Sequence, residues 1–196
     1  HADPAYELYL GSVPSGGFSF EWFAKLHNIS VDEFFRLAQS APFTEELPVF
    51  LPYILGRGAP YMDYAPNGAW LNLKASHTLA DLCRAAVFGA LCPLRQCADL
   101  LEDLAGKRPD LVLQALACRE NAVKASAGAL FRQKKLIPAN SEASLLGGAV
   151  IATTALGVYP DMESAGKAMV KNFETDLEHD EQAELMFRRF LKQEVI

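Results

Sequence analysis

The sequence has little positive charge and no long apolar run. Its 18 Lys and Arg residues stand against 24 Asp and Glu, a formal net charge of −6, and its basic run at Arg132–Lys135 is short. Because a surface that binds nucleic acid needs clustered cations, this balance argues against nucleic-acid binding. The longest apolar stretch, Leu145–Tyr159, is interrupted by Gly and Thr and is shorter than the roughly 20 residues of a membrane span. We expect neither nucleic acid nor a membrane as a partner.

Cysteine and histidine are also scarce. The four cysteines, at positions 83, 92, 97 and 118, form no CxxC pair, and a chain of this length can bury a core without disulfides. The opening residues lack the charged and then apolar pattern of a signal peptide, so we predict reduced thiols and a cytoplasmic protein. His77 and Asp81 lie four residues apart at a predicted helix start, but two ligands do not make a metal site, and we predict none.

Hydrophobic periodicity predicts one domain in which strands alternate with helices around a mostly parallel sheet. The predicted strands span residues 6–10, 69–73, 110–113 and 135–137. The predicted helices span residues 18–26, 31–39, 79–105, 120–131, 141–156, 161–171 and 178–192.

Local signals mark several helix ends. Ser30, with Glu33 in the capping-box position, and Thr78 are predicted N-caps, and Gly106 is the predicted stop of the longest helix. Pro93 is expected to end or kink the first half of that helix. The carboxylates of residues 174–184 are expected to form a solvated helix N-terminus, where they complement the helix dipole.

Three segments carry the information about function. Residues 50–63 read F-L-P-Y-I-L-G-R-G-A-P-Y-M-D, a loop rich in Gly, Pro and aromatic residues, and residues 76–89 read S-H-T-L-A-D-L-C-R-A-A-V-F-G. A third segment opens a predicted helix with the pair Gly16-Gly17. Free N–H groups and the helix dipole suit an anion at such a position, although two glycines before a helix are more often only a turn.

Together these segments resemble the C-terminal half of the FGGY family of carbohydrate kinases, and the resemblance extends over essentially the whole chain. It implies an α/β fold, an actin-like ATPase (ribonuclease H-like) domain with a mixed sheet flanked by helices, whose usual first strand would precede His1. It further implies that residues 1–196 are a single C-terminal, nucleotide-side domain and part of a longer kinase. Residues 141–149 (S-E-A-S-L-L-G-G-A) also resemble the family; Ser141 is a predicted cap, and Gly147, Gly148 and Ala149 are expected to pack closely on a neighbour.

The resemblance also implies which residues face ligands. The expected nucleotide-binding residues are Gly16, Gly17, Glu21, Ala115, Leu116, Glu120 and Asn121. The expected residues of the interdomain cleft are Arg57, Tyr61 and Asp63. The family's N-terminal domain supplies the catalytic base and most sugar contacts, so we expect no catalytic residue and no metal ligand in this chain. The implied cofactor is ATP with Mg²⁺, and the implied substrate is a sugar or polyol bound through the other domain.

The chain departs from the family pattern at the loop that receives adenosine. Where these kinases carry two or three consecutive glycines, residues 115–117 read Ala-Leu-Ala. Glycine reaches a positive φ at such turns, whereas a Cβ in the left-handed region costs roughly 1–2 kcal/mol. Leu116 would also project into the space of the adenine or ribose, so weak or altered ATP binding is expected. Asn72 likewise stands where many relatives have Gly.

Three functions are compatible with these observations. The first is the C-terminal part of an ATP-dependent carbohydrate kinase, inactive in isolation because phosphoryl transfer needs two clamped surfaces. The second is a kinase-like binding or regulatory protein with a degenerate nucleotide site. The third is a structural or oligomerisation module, because a sheet without its first strand exposes an edge that invites a homodimer.

Overall fold

The computed structural model describes residues 8–115 and 119–193, in which seven helices and five strands follow one another. The helices are α1 (Phe18–Leu26), α2 (Val31–Ser40), α3 (Leu79–Ala105), α4 (Asn121–Leu130), α5 (Ala143–Ala155), α6 (Met162–Met169) and α7 (Glu181–Gln193). The strands are β1 (Val49–Leu51), β2 (Ala69–Leu71), β3 (Leu111–Val112), β4 (Lys135–Pro138) and β5 (Asn172–Glu174).

The strands form two small sheets. β1 and β2 are antiparallel, with Val49 opposite Leu71. In the second sheet, of order β3-β4-β5, β3 runs parallel to β4 and β5 runs antiparallel to it. The expected α/β fold with a mixed sheet is confirmed, whereas the expectation of a mostly parallel sheet is wrong because β5 returns antiparallel. The strand predicted at 6–10 is also wrong for residues 8–10, which belong to no strand; residues 6 and 7 lie outside the described residues.

Side-chain caps fix the starts of α2 and α3 as predicted. The Ser30 hydroxyl accepts the N–H of Glu33 at 3.1 Å. Thr78 and Asp81 form a reciprocal capping box, in which each side chain bonds the backbone N–H of the other residue. Each bond satisfies a backbone donor that the helix itself cannot pair.

Two other predicted helix signals behave differently in the structure. α3 continues through Pro93 and ends where Gly106 adopts a left-handed φ of 63°, so the proline does not end the helix. The N-cap of α5 is Glu142 and not the predicted Ser141. The side-chain oxygen of Asn140, one residue before the predicted cap, accepts the N–H of Glu142 at 2.9 Å.

The core surrounds the first half of α3. An aromatic cluster from α1, α2 and the β1–β2 pair packs on one side of it: Phe20, Phe23, Phe34, Phe35, Phe50 and Trp70. α3 approaches β1 at Gly89, where a Cβ would lie 2.3 Å from the carbonyl oxygen of Phe50. The helix can therefore approach the strand this closely only because position 89 has no side chain.

A buried arginine joins α3 to α4 and α7. The side chain of Arg95 is 0% exposed and donates to Asp99 at 2.7 Å and to the carbonyl oxygen of Leu130. Its guanidinium also lies 3.4 Å from the Glu184 carboxylate and 5.0 Å from the centre of the Phe187 ring. Partners on three elements thus compensate a charge that would be costly to bury alone.

Glu184 is the acceptor shared by several cations. Its side chain is 15% exposed, and its carboxylate lies 2.8 Å from Arg132 and 3.4 Å from Arg188, besides its contact with Arg95. Burial acts to raise the pKa of this carboxyl, but the hydrogen bond and charge of Arg132, together with Arg95, outweigh burial and lower it. The prediction of a solvated carboxylate is therefore wrong for Glu184.

Candidate functional site

The turn that precedes α1 packs directly against the loop of residues 52–63. The buried hydroxyl of Ser15 accepts the N–H of Leu55 at 2.9 Å, and the carbonyl oxygen of Ser12 accepts the N–H of Ala59 at 2.8 Å. A Cβ at Gly58 would lie 2.2 Å from the oxygen of Ser12, so glycine is required for this close approach. The predicted nucleotide turn and the predicted cleft loop are therefore in direct contact.

The glycine pair at this turn leaves backbone donors at the start of α1. Gly16 donates its N–H to Val13 at 3.2 Å, and Gly17 is the N-cap, with helical φ and ψ of −64° and −33°. Within the described residues the N–H groups of Gly17 and Phe18 have no hydrogen-bond acceptor. Glu21 lies in the first turn and is exposed. The open donors and the positive end of the helix dipole suit an anion, although Glu21 adds a negative charge nearby.

The three residues predicted for the interdomain cleft contact one another. The Arg57 guanidinium lies 3.0 Å from the Asp63 carboxylate and 4.5 Å from the centre of the Tyr61 ring. Asp63 also accepts the N–H of Ala65 at 3.1 Å, and this bond together with Arg57 lowers the pKa of its carboxyl. Gln96 of α3 donates to the Tyr61 hydroxyl at 3.1 Å, which ties the loop to the core. That Arg57, Tyr61 and Asp63 face another domain stays a prediction.

The turn after β3 begins with Ala115, the first of the three positions where a substituted glycine loop is predicted. Ala115 is exposed and has a φ of 53°, in the left-handed region. Its carbonyl oxygen accepts the N–H of Arg119 at 3.2 Å, and Leu113 just before it is held to Leu136 of β4 by an N–H···O bond of 2.8 Å. Leu116, the other predicted nucleotide contact here, lies outside the described residues.

Glu120 and Asn121 form the start of α4. Glu120 is the half-buried N-cap and makes no side-chain cap bond, and its carbonyl oxygen accepts the N–H of Lys124 at 2.9 Å. Asn121 is the exposed first residue of the helix. The predicted nucleotide residues thus form two groups, one at the start of α1 and one between β3 and α4. No hydrogen bond, ion pair or ring contact between described residues joins the two groups.

His77 and Asp81 have structural partners. The Nδ1 of His77 accepts the N–H of Lys74 at 3.1 Å, and its Nε2 lies 3.0 Å from the carbonyl oxygen of Glu46, while Asp81 caps α3. Across residues 8–115 and 119–193 no three His, Cys, Asp or Glu side chains are grouped so that they could hold a metal ion. In the same residues no helix is long and apolar enough to cross a bilayer.

The fold defines a class of protein. The structure of ligand-bound xylulose kinase from Lactobacillus acidophilus superimposes with a TM-score of 0.81, covering 94% of this chain and 39% of that chain at 20% identity. The structure of Plasmodium falciparum glycerol kinase with ADP gives 0.73, covering 92% and 36% at 16% identity. The chain therefore has the actin-like ATPase fold of the sugar kinases.

The sequence comparison identifies the family. Residues 11–156 match the FGGY family of carbohydrate kinases, C-terminal domain, and the chain belongs to this family. Xylulose kinase of Staphylococcus epidermidis is 22% identical over 173 residues, which are 87% of this chain and 35% of that protein. The predicted resemblance is thereby confirmed. The chain spans about a third of the length of the curated relatives that it matches.

Proposed function

We propose that this chain is the C-terminal, nucleotide-side domain of an ATP-dependent carbohydrate kinase, which transfers the γ-phosphoryl group of ATP to a hydroxyl of a sugar or polyol. The observation that carries the proposal is the left-handed turn at Ala115, where the family pattern has the glycines that receive adenosine. The family match over residues 11–156 supports it. The length of the relatives supports a second catalytic half in further polypeptide.

The two groups of residues would bind different parts of the nucleotide. The open N–H groups of Gly17 and Phe18 would bind phosphate oxygens, and the exposed turn at Ala115 would contact the adenosine. Mg²⁺ bound with ATP would supply positive charge that offsets the charge of the phosphates. We assign no catalytic base to the described residues and expect the base and the sugar contacts from the other half. The isolated domain would therefore be inactive, because phosphoryl transfer depends on positioning between two surfaces.

Isothermal titration of the chain with ATP and with ADP, each with Mg²⁺, tests the proposal. We expect weak binding that Gly17→Glu abolishes, because a carboxylate at the start of α1 would repel the phosphates. Gly147→Glu is the matched control, because a Cβ at Gly147 would meet no atom within 4 Å and the residue is remote in sequence from both groups. If a longer gene product that contains these residues neither binds ATP nor phosphorylates any sugar or polyol, the proposal is wrong.

One observation favours a second candidate, a binding or regulatory protein whose nucleotide site is degenerate. Ala115 carries a Cβ in a conformation that suits glycine, and the residues after it are Leu and Ala. Changing residues 115–117 to glycine distinguishes the candidates. Nucleotide affinity that appears only in this triple variant would support the degenerate site. Binding by the unmodified chain would exclude it.

A reducing compartment is consistent with the thiols. Cys83, Cys92 and Cys97 are free cysteines in the described structure. We propose a cytoplasmic location, as is usual for enzymes that use ATP and keep reduced thiols. Labelling of the thiols in freshly lysed cells under denaturing, non-reducing conditions tests it, and a disulfide among these residues would contradict it.

A further inference from the structure

The turn that leads into α1 contains two consecutive glycines. Gly16 and Gly17 have more backbone freedom than other residue types, so the sequence of the turn does not by itself fix its shape. The N–H groups of Gly17 and Phe18, which have no acceptor within the described residues, belong to this turn and to the start of α1. The direction of these two N–H groups therefore depends on contacts that hold the turn from outside.

Ser15, the residue before the glycine pair, is held from two sides. Its carbonyl oxygen accepts the N–H of Ser19 at 3.0 Å and also accepts the Ser19 hydroxyl, which fixes Ser15 to the first turn of α1. Its own hydroxyl accepts the N–H of Leu55 at 2.9 Å, which fixes it to the cleft loop, residues 52–63. Because Ser15 is 1% exposed, bulk water does not compete for this bond.

The cleft loop packs on the same turn at a further point and is itself anchored. A Cβ at Gly58 would lie 2.2 Å from the carbonyl oxygen of Ser12, and that oxygen accepts the N–H of Ala59 at 2.8 Å. Gln96 of α3 donates to the hydroxyl of Tyr61 at 3.1 Å, which joins the loop to the core. The loop therefore gives the glycine turn a fixed support.

We propose that Ser15 is a positioning residue for the nucleotide phosphates. By accepting the N–H of Leu55, its hydroxyl holds the glycine turn in the arrangement that leaves the N–H groups of Gly17 and Phe18 open. The inference rests on the proposed function and adds to it a residue that need not contact the ligand. Without the bond the turn would sample other arrangements, and a phosphate would have to order it on binding, which lowers affinity.

Titration of the unmodified chain and of Ser15→Ala with ADP and Mg²⁺, and separately with adenosine, tests the inference. Amide chemical shifts would follow the binding, since they also report weak ligands. We expect Ser15→Ala to raise the Kd for ADP by about threefold to tenfold, the range for one lost hydrogen bond. The Kd for adenosine should not change, because adenosine has no phosphate to bind at the turn.

Ser126→Ala is the matched control. Ser126 is also 1% exposed, and its hydroxyl donates to the carbonyl oxygen of Ala122 at 2.8 Å within α4. This variant therefore loses an equally buried hydroxyl without a change at the turn. The Kd for ADP should stay that of the unmodified chain.

A second variant disturbs the same contact from the side of the loop. Gly58→Ala changes no residue of the turn, but its Cβ would collide with the carbonyl oxygen of Ser12. It should weaken ADP binding and not adenosine binding, as Ser15→Ala does. Gly166→Ala is its control, because a Cβ at Gly166 would meet no atom within 4 Å. Circular dichroism verifies that each variant is folded.

Amide hydrogen exchange gives a readout that needs no ligand. The N–H of Leu55 should be protected in the unmodified chain and should exchange faster in Ser15→Ala. An unprotected Leu55 N–H in the unmodified chain would overturn the inference.

The titrations separate failure of this inference from failure of the proposed function. If Ser15→Ala binds ADP as tightly as the unmodified chain, the inference is wrong and the proposed function stands. If ADP and adenosine weaken alike, Ser15 acts on the fold in general and positions no phosphate. If the unmodified chain binds adenosine but gains nothing from the phosphates of ADP, the phosphate site at α1 is wrong, and this inference with it.

Discussion

Replacing Ala115 with glycine should stabilise the protein, whereas such a change usually destabilises one. Ala115 has a φ of 53°, and a Cβ in this region costs about 1–2 kcal/mol, which glycine avoids. Glycine in turn gains backbone entropy in the unfolded chain, which opposes the benefit by about 0.4–1 kcal/mol. The expected net change is an increase of about 0.5–1 kcal/mol in the free energy of unfolding. For a chain of this size that corresponds to a rise in Tm of about 1–4 °C.

Ala125→Gly is the matched control for this measurement. Ala125 lies on the exposed side of α4, a few residues beyond the turn, in ordinary helical conformation. Glycine in an exposed helix interior should destabilise by about 1 kcal/mol. Both variants exchange the same side chain for hydrogen, so their effects on the unfolded chain are alike. Their difference in urea unfolding, at unchanged m value, reports the native backbone conformation.

The expected signs are opposite, which makes the reasoning easy to refute. If Ala115→Gly destabilises as much as Ala125→Gly, residue 115 is not left-handed in solution. The basis for comparing this turn with the family's glycine loop would then disappear. A stabilised Ala115→Gly variant should next be titrated with ATP and Mg²⁺. Higher affinity would show that the Cβ itself obstructs the ligand.

Further predictions concern glycines, a carboxylate and the thiols. Gly89→Ala should destabilise by about 1–3 kcal/mol or prevent folding, because its Cβ would collide with the backbone of Phe50. Gly147→Ala has open space around it and should stabilise by about 0.5–1 kcal/mol. Urea unfolding compares the two variants, and equal effects would contradict the close contact of Gly89 with Phe50. Glu184→Gln should cost about 1–3 kcal/mol near neutral pH, because it removes one of the two carboxylates that contact the buried guanidinium of Arg95, while Asp99 remains. Since the folded pKa of Glu184 is lowered, its contribution to stability is complete above the ordinary glutamate pKa of 4.5 and is lost as pH falls through the folded pKa. Stability should therefore fall less in acid for the variant than for the unmodified chain. Burial raises the pKa of Cys83 to about 12 and also raises the pKa of half-buried Cys97. A thiol reagent at neutral pH should therefore modify Cys83 only after unfolding. Rapid modification of Cys83 in the native protein would contradict the burial of this thiol.

The helices could be predicted from sequence because their end signals are local. Ser30, Thr78 and Gly106 act within three residues of themselves, and each lies where the pattern placed it. Pro93 shows where a local rule fails. A proline removes one helical hydrogen bond, and the buried residues on both sides of it, including Cys92 and Arg95, hold α3 in place across the interruption.

Contacts between distant segments could not be predicted in the same way. Arg95 and Glu184 are separated by 89 positions, and no pattern around either residue indicates that they meet. The contact of Ser15 with Leu55 spans 40 positions, yet it places the two predicted ligand segments side by side. In both cases tertiary packing decides which residues meet. The charge and composition around Glu184 therefore do not distinguish it from a solvated carboxylate.

Two of the positions at which the sequence is predicted to replace a glycine of the family share one property. Asn72 has a φ of 60° and Ala115 a φ of 53°, so the backbone is left-handed at both. Asn tolerates this region because its short polar side chain bonds locally, but Ala gains nothing in return. The left-handed turn at Ala115 is therefore imposed by its surroundings, namely the bond from Leu113 to β4 and the start of α4. Under the proposed function, the substitution at residue 115 would therefore change the surface that a nucleotide contacts more than the backbone conformation of this residue. The two candidate functions would then differ in nucleotide affinity more than in folding.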